Sequence, residues 1–95
     1  HITMIGAGYV GLVSGACFAD FGHNVVCVDT DAAKVEALRD GKIPIFEPGL
    51  DEIVARNVTA GRLSFTTKIA EGLEKAEVVF IALLHHAGVQ SHTDP

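Results

Sequence analysis

No stretch of this chain collects positive charge: seven Lys/Arg are scattered against twelve Asp/Glu, for a formal net charge of -5. With no basic cluster to gather phosphates, nucleic-acid and anionic-membrane partners are excluded, and any phosphate has to be met by backbone amides. No apolar run approaches the ~20 residues of a membrane-spanning helix, nothing resembles a cleavable signal, and there is no low-complexity tract. The chain therefore reads as soluble, intracellular and cytoplasmic. Cysteine is scarce as well. Cys17 and Cys27 stand ten positions apart, which is neither a C-x-x-C redox pair nor a zinc spacing. Both read as small buried hydrophobes in a reducing compartment, with no catalytic role.

What the chain does have is a composition suited to one modest core. Its 95 residues are 48% hydrophobic and 20% charged, which places it among globular chains and limits it to a single domain over residues 1–95, with 85–95 as a polar tail. His85, His86 and His92 lie in that tail. Adjacent histidines on a strand would point to opposite faces, and no cysteine or carboxylate clusters beside them, so no metal site is expected.

The stretch Gly6-Ala7-Gly8-Tyr9-Val10-Gly11 follows the apolar run Ile2-Thr3-Met4-Ile5 and precedes a helical pattern. This is the strand-turn-helix context of a dinucleotide-binding turn. Gly6 permits the tight turn, Gly8 leaves a pyrophosphate room to reach the backbone, and Gly11 lets the helix lie close to the sheet. The helix would aim its free N–H groups and positive dipole end at the phosphates. Small residues continue as Gly11, Gly15 and Ala19, an i, i+4, i+8 stripe on one helical face. Asp29, eighteen positions after Gly11, closes the run Asn24 to Val28. A carboxylate at the tip of the second strand can accept from both ribose hydroxyls of an adenosine. Its charge would oppose a 2′-phosphate, and no arginine follows to neutralise it, so NAD is expected in preference to NADP.

Taken in order, the pattern predicts strand 1 over His1–Ile5, a helix over Tyr9–Phe21 stopped by Gly22, and strand 2 over Asn24–Asp29. A second helix over Ala32–Asp40 is capped by Thr30 or Asp31 and ended by Gly41. Pro48 suits the first position of a third helix, with Asp51 and Glu52 in its first turn and Gly61 at its end. Strand 3 follows over Leu63–Thr66, a short helix over Lys68–Lys75, and strand 4 over Glu77–Leu84. Strands alternating with helices imply parallel pairing, giving half of a doubly wound α/β Rossmann fold: a four-stranded parallel sheet in the order 3-2-1-4 with flanking helices.

These residues resemble the NAD-binding domain of the UDP-glucose/GDP-mannose dehydrogenase family. The match runs through Ile5 to Gly15, Val28-Asp29 with Lys34, and Pro44-Ile45-Phe46-Glu47-Pro48-Gly49-Leu50, a segment that dinucleotide-binding domains in general do not need. The resemblance implies that Gly6, Gly8 and Gly11 meet the pyrophosphate, that Tyr9 and Val10 line the cofactor, and that Asp29 and Lys34 lie at the adenosine ribose. It implies NAD as cofactor and partner, in a parent reaction that oxidises a UDP-sugar to the uronic acid. For Glu47 it suggests only a loop near the active-site side, and a capping acid before Pro48 explains that residue equally.

Where the family continues Val-Gly-Thr-Pro after strand 4, this chain reads Leu83-Leu84-His85-His86. The family's catalytic cysteine, lysine and acid/base groups lie beyond that point, so the chain reads as a fragment or engineered derivative that binds NAD without turnover, and no catalytic residue is assigned. The alternative is a structural, self-assembling half-Rossmann unit that binds nothing. In either case Val78 to Leu84 would form an open apolar edge, from which a homodimer is expected, through strand pairing or through the uncovered sheet face.

Overall fold

The computed structural model describes residues 1–44 and 47–82. Four strands, β1 (Ile2–Ile5), β2 (Val25–Val28), β3 (Leu63–Thr66) and β4 (Val78–Ile81), alternate with helices α1 (Tyr9–Asp20), α2 (Ala32–Arg39), α3 (Leu50–Thr59) and α4 (Ile69–Leu73). All neighbouring pairs are parallel, in the order β3-β2-β1-β4. Ile2, Thr3, Met4 and Ile5 stand opposite Val25 to Val28 on one side and Val78 to Ile81 on the other.

Alternation along the strands divides the sheet into two unequal faces. Met4, Val25, Cys27, Leu63 and Phe65 are buried with Leu12, Ala16 and Ala19 of α1, Val35 and Leu38 of α2, and Leu50 and Val54 of α3. This is the core. Among the described residues, the intervening positions face the short α4: the Thr3 hydroxyl donates to the Gly72 carbonyl, Val28 lies against Gly72, and the Thr66 hydroxyl donates to Glu71. The small-residue stripe of α1 is wholly buried. A Cβ on Gly15 would come within 2.9 Å of the Cys27 sulfur, so this glycine sets the helix-to-sheet distance.

Helix ends follow their local chemistry. Gly22, Gly41 and Gly61 all have positive φ just beyond α1, α2 and α3, the left-handed stop that glycine favours. Asp31 caps α2, its side chain accepting from the Lys34 N–H at 3.1 Å. The start of α3 corrects the sequence reading: Gly49, at φ +85°, is the N-cap and Pro48 lies outside the helix. Asp51 and Glu52 still occupy the first turn.

Cys17 is a second correction. It is exposed, because its place on α1 falls on the face turned away from the sheet, whereas Cys27 is buried as expected. Of the expected strand 4, Leu83 and Leu84 lie outside the described residues, as do Ile45, Phe46 and the whole of the 85–95 tail. Among the described residues no helix is long and apolar enough to cross a membrane.

Candidate functional site

The site grows from the carboxyl ends of the strands. β1 runs into Gly6, whose φ of +103° and whose N–H bond to the Val28 carbonyl at 2.7 Å turn the chain over the end of β2. A Cβ on Gly6 would overlap the Ala82 carbonyl. Gly8 is the N-cap of α1, extended and with no side chain to satisfy the first turn, and no acidic residue stands in that turn. The open N–H groups and the dipole end are therefore free for an anion.

Gly11 refines the expectation made for it. Its nearest neighbour is the Gly6 carbonyl, which a Cβ would overlap, with the Ala82 side chain next. It keeps α1 against the turn itself, while Gly15 keeps the helix against the sheet.

Asp29 ties the turn to β2 and α2. Its Oδ2 accepts from the Ala7 N–H at 2.9 Å and from Lys34 Nζ at 3.4 Å, and its Oδ1 accepts from the Asp31 N–H at 3.0 Å. Burial pushes the carboxyl upward, but the two backbone N–H groups and the Lys34 charge together outweigh it and hold Asp29 below the ordinary carboxylate value. A carboxylate offers about four lone-pair positions, so one on Oδ1 remains open.

Gly6, Gly8, Asp29 and Lys34 line one cleft of about 350 Å³, together with Thr30, Thr67 and Ile69. Tyr9 and Val10 stand outside that lining, half exposed and mostly exposed respectively. The Tyr9 hydroxyl instead donates to Glu47 at 3.0 Å, and that carboxylate holds the phenol above its usual range. The Glu47 side chain thus meets Tyr9, and α3 carries no side-chain cap. Thr67 and Ile69 went unread in the sequence. Their signal is positional: they follow the end of β3 as Gly6 follows β1 and Asp29 follows β2.

A second depression, of about 270 Å³, lies at the opposite end of the strands beside His1, Asn24 and Arg62. Its Gly61 closes α3 rather than opening a helix, and the Arg62 Nε is already engaged by the Ala19 carbonyl and Asn57 Oδ1. The chemistry converges on the first cleft. It offers backbone donors for an anion and a carboxylate for a diol, and its titratable lining residues are Asp29 and Lys34. Cys27, buried in the core against α1, has its thiol pushed up to about 12 by desolvation and is no nucleophile.

Comparison with known proteins adds to this geometry. The model of the UDP-glucose/GDP-mannose dehydrogenase family, NAD binding domain, matches residues 1–85. The UDP-glucose 6-dehydrogenase of Rhizobium meliloti is 66% identical over 82 residues, 86% of this chain and 19% of that protein. The GDP-mannose 6-dehydrogenase of Azotobacter vinelandii is 43% identical over 83 residues, 87% of this chain and 19% of that protein. Among solved structures, a ternary complex of GDP-mannose dehydrogenase from Pseudomonas aeruginosa superposes with a TM-score of 0.84 at 32% identity, over 97% of this chain and 23% of that one. The chain spans about a fifth of the length of the curated relatives it matches.

Proposed function

The chain belongs to the NAD-binding domain of the UDP-glucose/GDP-mannose dehydrogenase family, and from that premise we propose that its cleft at the strand ends holds NAD through Gly6, Gly8, Asp29 and Lys34. The observation that carries this assignment is the bond from the Ala7 N–H to Asp29, which fixes phosphate turn and ribose carboxylate in one unit before any ligand arrives. In this reading the first turn of α1, Tyr9 to Gly11, presents its N–H groups to the diphosphate. The open position on Asp29 Oδ1 accepts from a ribose hydroxyl. Lys34, held at only 3.4 Å, turns to a ribose oxygen. The glycines keep the turn's shape, since a Cβ at Gly6 would overlap the Ala82 carbonyl and one at Gly11 the Gly6 carbonyl.

NAD supplies a hydride acceptor when bound. This chain's residues bind and orient it, and no cysteine lines the described cleft. Relatives that carry this domain are named as UDP-glucose 6-dehydrogenases; the part of such a reaction carried here is cofactor binding. Free thiols at Cys17 and Cys27 suit a cytoplasmic setting. Thermal denaturation with increasing NAD tests the assignment: the transition should rise with ligand concentration, and no rise at millimolar NAD favours the alternative, a structural unit without ligand.

Self-association is part of the same proposal. All four residues of β4 are exposed, from 42% at Phe80 to 68% at Ile81, and among the described residues β4 pairs only with β1. An edge of this kind, without proline or lysine, pairs readily with a second copy to give a homodimer.

A further inference from the structure

The two outer strands of the sheet end it differently. Every residue of β4 is exposed, whereas Leu63 and Phe65 of β3 are only 2% and 4% exposed. Among the described residues β3 pairs only with β2. That pairing uses alternate residues: the Arg62 carbonyl accepts from the Val25 N–H at 2.7 Å, and the Thr66 carbonyl accepts from the Asp29 N–H at 3.1 Å. The alternation of a parallel ladder therefore turns the N–H and C=O groups of Leu63 and Phe65 to the outer side. A row of this kind is what a further strand pairs with.

Arg39 occupies that row. It is the last residue of α2, and its Nε and Nη2 both donate to the Phe65 carbonyl, at 3.0 and 2.7 Å. A guanidinium bonded twice to one carbonyl takes up the acceptor that a pairing strand needs, and it lays a charge and a long stem across the edge. A trough of about 340 Å³ on this side is lined by Arg39, Val58, Gly61, Leu63, Ser64 and Phe65, so Arg39 lies in the path of an incoming strand. β4 has no such residue of its own, its sequence being Val-Val-Phe-Ile. We propose that Arg39 is an edge guard, which keeps the β3 side of the sheet from pairing with a second copy of this chain, so that self-association stops at the β4 edge. With β3 guarded, two β4 edges close a two-fold dimer; two open edges on one sheet would let copies add without end. The inference rests on the self-association reading above only for the size of the unsubstituted assembly.

Light scattering of the 95-residue chain carrying Arg39→Ala tests the guard, alanine being the substitution that best keeps α2 helical. The mass should rise about twofold or more over the unsubstituted chain and grow with concentration. Adding Ser64→Lys, at an exposed position of β3, puts a charge on the reopened strand and should return the mass to that of the unsubstituted chain. In Phe80→Lys, where the β4 edge is blocked, Arg39→Ala should convert a monomer into a dimer that pairs through β3. An unchanged mass for Arg39→Ala would overturn the inference, and so would a larger mass that Ser64→Lys fails to reverse, which is the mark of unfolding. A monomeric unsubstituted chain would refute pairing at β4, while a mass that still rises in Arg39→Ala would uphold the guard at β3.

Discussion

Asp29 holds three partners from two elements, the turn through Ala7, and α2 through its cap Asp31 and through Lys34. Because its carboxyl is held below the ordinary value of 3.8, the ionised form is favoured in the folded chain. The stability it contributes is complete above that ordinary value and is lost as pH falls through the lower folded value. The difference in melting temperature between the unsubstituted chain and Asp29→Asn should therefore be constant through neutral pH and shrink in acid below 3.8; a difference that changes between about pH 6 and 8 would show that another group is responsible.

Gly11 poses the opposite problem, because helix propensity alone predicts that alanine there would stabilise α1 by about 1 kcal/mol. The Gly6 carbonyl occupies the place a Cβ would take, and that overlap reverses the sign. Urea unfolding of Gly11→Ala should show a loss of about 1–3 kcal/mol, the usual range for overpacking; stabilisation would mean that α1 can move off the turn. Both residues were legible in the sequence from spacing, since a fixed strand-turn-helix geometry demands them. Which atom each one meets was not, and neither was the exposure of Cys17, which depends on how α1 rolls on the sheet.

At the level of elements, β4 stands apart. Its residues pair with β1 and Phe80 stacks on Phe18 of α1, with ring centroids 5.2 Å apart, yet its outer side is unpaired among the described residues. Light scattering at micromolar concentration should give a dimeric mass for the 95-residue chain and a monomeric one for Phe80→Lys, since an edge lysine blocks strand pairing. A monomer in both would refute the proposed edge pairing. The strand order was readable because β-α alternation leaves few topologies open. The start of α3 was misplaced because proline at a first helical position and proline just before a glycine cap leave nearly the same sequence trace. The place of Thr67 and Ile69 in the cleft was invisible for another reason: it exists only once β3 is set beside β2.

For the whole molecule, the proposed reading is a binding unit whose two polar functions, amides for a diphosphate and a carboxylate for a ribose, are joined by the hydrogen bond from the Ala7 N–H to Asp29 across the strand ends. Incubation of the isolated chain with NAD and UDP-glucose should yield no NADH, because no thiol lines the described cleft and its titratable lining residues, Asp29 and Lys34, are paired with each other. Turnover in a preparation free of any full-length dehydrogenase would overturn that division of labour. The most direct test of the central claim is calorimetric titration of the chain and its Asp29→Ala variant with NAD and NADP side by side. NAD should bind more tightly than NADP, and Asp29→Ala should lose at least about tenfold in NAD affinity, the scale of one charge-assisted hydrogen bond. Equal or tighter binding of NADP, or an NAD affinity untouched by the loss of Asp29, would contradict it.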